Sequence, residues 1–142
     1  MKTRATLLSL ALLGCLALPA TVTGHGEPTV YEMKRDDMRV TIHVSHDEVI
    51  RATVRARERC GKNGATGFLR AEISEPIPIR DGNFDYDETF DDARGHGRLV
   101  LEGGVNPQTV RGVFMFRNLD DTSCGSGRPG KRRVLYTARL QS

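Results

Sequence analysis

The segment RVTIHVSHDEVIRATVRARERC, residues 39–60, alternates apolar and polar side chains in two runs that flank a short turn. In the first run, Val40, Ile42 and Val44 share one face. Successive side chains of a strand point to opposite faces, so this period of two predicts a hairpin with one buried face. β-branched residues in the second run favour a strand over a helix. The predicted apolar face of that run comprises Ile50, Ala52, Val54, Ala56 and Cys60.

The same period recurs between turn clusters along the rest of the chain, and no segment has a convincing helical pattern. Further strands are predicted over residues 67–73, 98–103, 109–117 and 133–140, with an edge strand or connection at the proline-flanked Ile77 and Ile79. We therefore expect an all-β fold over residues 25–142, a single antiparallel β-sandwich or small barrel of seven to eight strands. The predicted core comprises Val40, Ile42, Val44, Val54, Leu69, Phe84, Leu99, Leu101, Phe114, Phe116 and Tyr136.

The acidic stretch DGNFDYDETFDD, residues 81–92, has two interpretations. In a calcium loop, ligand positions one, three, five and twelve would be Asp81, Asn83, Asp85 and Asp92. That loop needs glycine at position six, where this chain has Tyr86. A strand instead separates an aromatic face from an acidic face, and we expect this strand. The two faces are Phe84, Tyr86 and Phe90, and Asn83, Asp85, Asp87, Thr89 and Asp91.

The acidic face of this predicted strand is the most concentrated negative surface of the chain. We expect the arginines of residues 51–59 to offset its repulsion across strands. It is also the first candidate surface for a cationic partner.

The first 24 residues have the order of a secretory signal peptide. Lys2 and Arg4 precede an apolar run that is too short to span a membrane, and small residues follow it. Cleavage after Ala20 or Gly24 fits this pattern, and lipidation of Cys15 is the alternative. We expect a secreted or periplasmic protein without a transmembrane segment.

Loss of the leader changes the cysteine and charge counts. Cys60 and Cys124 remain, and an even pair in an exported domain predicts a disulfide. Basic residues fall from 21 by two to 19 against 18 acidic ones, a net charge of +1, so no nucleic-acid partner is predicted. The basic run Lys131, Arg132 and Arg133 is a candidate contact with an anionic surface.

Catalytic motifs are lacking in the sequence: no nucleophile elbow or phosphate-binding loop occurs. We predict neither an enzyme nor a resident metal or cofactor, but a binding or structural module. One alternative is a copper protein in which His25, exposed as a new N-terminus, chelates the ion with a second histidine. That partner would be His43, His46 or His96. The other alternative is a small β-barrel protease inhibitor.

The order of several short motifs resembles a group of uncharacterised bacterial exported two-cysteine β-sandwich proteins. The motifs are a cysteine after an arginine-rich strand, PIPIRDGNF, TVRGVFMFR, a second cysteine and VLYTARL, over residues 40–140. Tyr136 takes the place of the aromatic residue expected three positions before Arg139. The resemblance implies a β-sandwich and export, and it carries no activity or site residues.

Overall fold

The computed structural model describes residues 26–61, 64–92 and 95–142. The predicted signal peptide, the lipidation of Cys15 and the copper ligand His25 lie outside these residues. The described chain consists of strands and turns, without a helix. It therefore contains no helix long and apolar enough to cross a membrane.

Ten strands follow one another along the chain, more than the seven or eight predicted. They are β1 Thr29–Lys34, β2 Met38–Ser45, β3 Glu48–Cys60, β4 Ala65–Ile73, β5 Ile77–Pro78, β6 Asn83–Asp92, β7 Gly95–Val105, β8 Thr109–Asn118, β9 Cys124–Ser126 and β10 Arg133–Leu140. The sequence pattern missed β1, in which only Tyr31 is fully buried, and β9, which has three residues. Short or weakly alternating strands give little periodic signal.

Six antiparallel strands close a barrel in the order β1–β2–β3–β9–β8–β10, and β10 pairs back onto β1. The predicted two-sheet sandwich is therefore wrong, and the alternative of a small barrel is the better description. Closure depends on two pairings that the sequence did not indicate. Tyr31 pairs with Leu140, and the short strand β9 joins β3 to β8.

Four outer strands extend from the barrel as two wings. β4 and β5 both pair with β3, one after the other, along the edge of β3 that does not carry β2 and β9. On the other side, β7 pairs with β8 and β6 pairs with β7. Within the described residues β4 pairs only with β3, and β6 pairs with β7 in a regular ladder, so each wing ends in a strand with a free edge.

The buried interior agrees with the predicted core. Nine of the eleven residues predicted are buried, and Leu69 and Phe116 pack against them partly buried. Ile50 is an exception, because the register between β2 and β3 shifts between His43 and Val44. This bulge places Val49 opposite Val44 in the core and leaves Ile50 only half-buried.

The predicted disulfide between Cys60 and Cys124 is present, with Cα atoms 4.0 Å apart. The two cysteines lie directly opposite each other on β3 and β9. The bond therefore secures the shortest strand of the barrel ring. Beside it, the buried Ser126 hydroxyl accepts a 2.8 Å hydrogen bond from the Phe116 amide and donates one of 2.7 Å to the Arg132 carbonyl.

Candidate functional site

A groove of about 390 Å³ lies between the two wings. Its walls are the edge strands β4 and β6, and its floor comes from β3, β7 and β8. Its volume falls within the ~300–1,000 Å³ range of protein ligand sites. Free strand edges border this groove on both sides, and for this reason we take it as the candidate site.

The β4 wall presents the edge of a strand. Leu69, Arg70, Ala71 and Glu72 all line the groove, although consecutive residues of a strand point to opposite faces. Residues of both faces border the groove because it runs along the strand edge itself. A strand edge carries backbone N–H and C=O groups that no neighbouring strand satisfies. Four residues of β4 give this hydrogen-bonding edge a length of about 13 Å.

Aromatic rings form much of the floor. The rings of Phe90 on β6 and Phe116 on β8 stack with centroids 6.2 Å apart and an interplanar angle of 18°. Gly97 lies between these strands, where a Cβ atom would come within 2.6 Å of the Phe90 ring. Glycine at this position therefore gives the ring pair its space. Leu99 and Tyr86 continue the apolar surface.

Three carboxylates and one guanidinium line the same groove. Glu72 forms a 2.5 Å ion pair with Arg51 and lies 3.9 Å from Arg70. The Glu88 carboxylate accepts a hydrogen bond from the Tyr86 hydroxyl. The half-buried Glu58 has no hydrogen-bond or ion-pair partner among the described residues. The groove thus carries more negative than positive charge, and its unpaired carboxylate is on the floor.

The acidic stretch is a strand, as predicted. It begins after a tight turn, in which Asp81 and Gly82 both have positive φ and Arg80 and Asn83 exchange backbone hydrogen bonds. Phe84 points into the core, and the acidic side chains from Asp85 to Asp91 point to solvent. An extended backbone spreads same-face carboxylates apart and does not curl them around one ion.

The cation beside the acidic strand is not one of those predicted. Arg98 on β7 forms a two-pronged ion pair with Asp87, at 2.8 and 2.5 Å, and this hydrogen-bonded pair lowers the pKa of the Asp87 carboxyl. The expectation that residues 51–59 offset the acidic face is wrong, because β6 pairs with β7 and not with β3. Arg55 instead stacks over the Phe68 ring at 3.8 Å.

The described histidines are on different elements. His43 is on the outer face of β2, His46 is in the turn before β3, and His96 is on β7, 3.5 Å from Asp120. His96 lies within the β6–β7 ladder, where it is paired with Asp91.

Possible metal donors come together in one place within the described residues. Glu58, Cys60 and Cys124 form this group, but its two sulfurs are bonded to each other and offer no thiolate.

The three residues of the predicted basic contact surface, Lys131, Arg132 and Arg133, have different surroundings in the fold. The Arg132 guanidinium donates to the Arg59, Gly125 and Ser123 carbonyls and so supports the disulfide junction. Arg133 pairs with Glu102 at 2.6 Å. Only Lys131 of the three is an exposed cation without a carboxylate partner in the described chain.

Sequence reasoning missed the groove, because its residues come from five strands that are far apart in the chain. One signal was available: residues 74–80, SEPIPIR, separate two long strands and break the ladder between them.

Comparisons with protein-family models, with curated proteins and with solved structures found no match to this chain. The suspected resemblance to exported two-cysteine proteins therefore stays a prediction, and the function has to be argued from the site.

Proposed function

We propose that this chain is an exported binding module that captures an extended, cationic peptide segment in the groove between β4 and β6. The observation that carries the proposal is the free edge of β4, whose four consecutive residues line the groove. Addition of a strand to such an edge is a common mode of peptide recognition.

The two edges are long, and the protection they carry is charge: Arg70 and Glu72 on β4 and the acidic residues of β6. Proteins commonly block a free edge with charged side chains, above all lysine, with proline or with a short strand. β4 has nine residues and β6 has ten, and neither contains proline or lysine. A peptide seated beside β4 would satisfy backbone groups that the native sheet leaves unpaired.

Charge supports a basic peptide. Glu58 on the floor offers an unpaired carboxylate, and Glu88 and the acids on the outer face of β6 add negative charge beside it. A strand in the groove alternates its side chains between the floor and solvent. Lysine or arginine at one position would face Glu58, while apolar positions would contact Phe90, Phe116 and Leu99.

The proposed compartment follows from the leader and the disulfide. A disulfide persists in an oxidising compartment, and the N-terminal pattern is that of a secretory signal. Export places the groove where it meets peptides of the cell exterior or envelope.

Titration of a fluorescent eight-residue peptide of alternating lysine and valine tests the proposal. We expect saturable one-to-one binding to the full chain and no binding of the glutamate–valine counterpart. Glu58→Gln should weaken binding about fivefold, the size of one partly exposed ion pair. The matched control Glu27→Gln removes an exposed carboxylate away from the groove and should leave the affinity unchanged.

A second probe separates strand addition from charge attraction alone. The same lysine–valine peptide, N-methylated at alternate residues, keeps its charge but loses the backbone donors along one edge. We expect it to bind at least tenfold more weakly, because backbone hydrogen bonds supply affinity in strand addition. Equal binding of both peptides would contradict the proposal.

The two alternatives remain predictions. The copper protein depends on His25, which lies outside the described residues, and the protease inhibitor depends on a reactive segment that the described chain does not identify. The mass of the secreted protein decides the first, because any N-terminus other than His25 removes the copper ligand.

A further inference from the structure

Four basic residues form one line across four neighbouring strands. Lys34 on β1 is paired with Arg39 on β2, Arg39 with Arg55 on β3, and Arg55 with Arg70 on β4. All four side chains are exposed on the outer face of the sheet. We call these four residues the cationic row.

Directly opposed like charges destabilise a sheet, so the row is an unfavourable arrangement on its own. Each end lies beside a carboxylate, in an exposed ion pair of the weak kind that a polyanion can replace. Lys34 pairs with Glu32 at 2.9 Å, and Arg70 lies 3.9 Å from Glu72. The two central guanidinium groups have no carboxylate partner among the described residues.

The two central arginines differ in their surroundings. Arg55 stacks on the ring of Phe68, with its guanidinium carbon 3.8 Å from the centroid. Arg39 has no side-chain partner in the described chain, and its positive charge is fully available. Two positions along the same strands, the corresponding pair is Thr41 and Thr53, and both side chains are uncharged.

The shape of the row selects the kind of anion. Neighbouring strands are ~4.8 Å apart, so the four cations extend over about 14 Å in one line. A small anion can contact one or two of them, whereas a linear polymer with regularly spaced negative groups can contact all four. Guanidinium groups also bind sulfate-like and phosphate-like oxygens through paired hydrogen bonds.

Other polyanionic surfaces fit less well. A membrane surface is usually contacted with several exposed apolar side chains beside the cations, but the exposed Phe68 ring has Arg55 stacked on one face. Single-stranded nucleic acids need aromatic faces on which bases stack, and this ring face is already occupied. A sulfated polysaccharide needs only the line of charges.

We propose that the cationic row binds a linear sulfated polysaccharide. Of the four residues in the row, only Arg70 also lines the groove, so variants of Arg39 and Arg55 test this inference separately from the peptide proposal.

Calorimetric titration of the full chain with a size-defined heparin fragment at several salt concentrations tests the row. Affinity should fall linearly in log–log form with salt, since binding releases counterions. The double variant Arg39→Gln/Arg55→Gln removes two of the four contacts and should lower that slope by about half. The single variant Arg39→Gln, which breaks no contact within the fold, should lower it by about a quarter.

The control variant Arg80→Gln/Arg128→Gln removes the same charge from two exposed sites off the row and should retain the wild-type slope. The charge-preserving variant Arg39→Lys/Arg55→Lys should retain most of the binding. An equal loss in the control, or no heparin binding at low ionic strength, would overturn the proposal. Tighter binding to duplex DNA or to phosphatidylserine vesicles at the same ionic strength would also overturn it.

Discussion

The Tyr136 hydroxyl donates a 3.0 Å hydrogen bond to the backbone carbonyl of Glu102, across the width of β8. Tyr136 is paired with Gly112 on β8, which is paired in turn with Gly103 on β7. A Cβ atom at Gly103 would come within 2.8 Å of the Tyr136 hydroxyl. From the other side, Phe84 on β6 covers Gly103. This lateral row joins the outer wing to the barrel through aromatic rings that pack on bare backbone.

Replacement of Tyr136 by phenylalanine should destabilise the fold by about 1 kcal/mol at neutral pH, the net value of one buried hydrogen bond. The ring and the backbone pairing with Gly112 remain, so the strands should stay in register. Urea unfolding at pH 7 measures the difference. A loss above about 3 kcal/mol would mean that the hydroxyl supports more than this single bond.

The cost of Tyr136→Phe should shrink at alkaline pH. Burial, with a smaller contribution from the nearby Glu102 carboxylate, raises the pKa of the Tyr136 phenol well above its ordinary value of about 10. The unfolded chain therefore loses this proton first, and the stability from the neutral phenol is complete below about pH 10 and lost above it. The difference in unfolding free energy between the two proteins should be smaller at pH 11 than at pH 8. A constant difference would contradict the raised pKa.

Gly112→Ala should abolish the native barrel or destabilise it severely. A Cβ atom at this position would be 1.8 Å from the Glu102 carbonyl oxygen, a backbone atom that cannot turn aside as a side chain can. Gly67→Ala is the matched control, because Gly67 also lies in a strand and no atom comes within 4 Å of its added Cβ. We expect Gly67→Ala to be neutral or slightly stabilising by thermal unfolding. Similar melting temperatures for the two variants would disprove the close approach.

The lateral row of aromatic residues and glycines also shows which features of the fold the sequence could predict. Phe84, Gly112 and Tyr136 lie in three of the five motifs that carry the family resemblance, PIPIRDGNF, TVRGVFMFR and VLYTARL. Alternation placed these aromatic residues on the buried faces correctly. It could not indicate that the three motifs meet in one line, because register between distant strands depends on packing and not on period.

Barrel closure and the groove were beyond the sequence for a related reason. The alternation of residues 39–60 specifies a half-buried hairpin, which a sandwich and a barrel accommodate equally well. The choice between them depends on the pairing of β1 with β10 and on β9, which consists of three small residues within a polar loop. The groove arises where the β4 and β6 edges fail to pair, and no local pattern records a missing partner.

Ser126→Ala should destabilise the barrel by about 1–3 kcal/mol, the cost of buried polar groups that lose their partner. Its hydroxyl is the partner of the Phe116 amide and the Arg132 carbonyl, and alanine would leave both without it. Ser74→Ala is the control, since Ser74 is exposed and in no contact that the structure records. Chemical denaturation compares the two, and an equal, small effect would show that water replaces the Ser126 hydroxyl.

Loss of the disulfide should lower the free energy of unfolding by about 2–5 kcal/mol, because the cross-link restricts the unfolded chain. The loop it closes spans 64 positions in sequence. The double variant Cys60→Ala/Cys124→Ala should show this loss in urea, and reductant should then change nothing further. Wild-type protein in reductant should approach the double variant.

Amide exchange should accelerate first in Cys124–Ser126, because that strand has three residues and one ladder position with β8. Unchanged exchange there would mean that the Arg132 contacts with the Arg59 and Ser123 carbonyls hold the junction without the sulfur bridge.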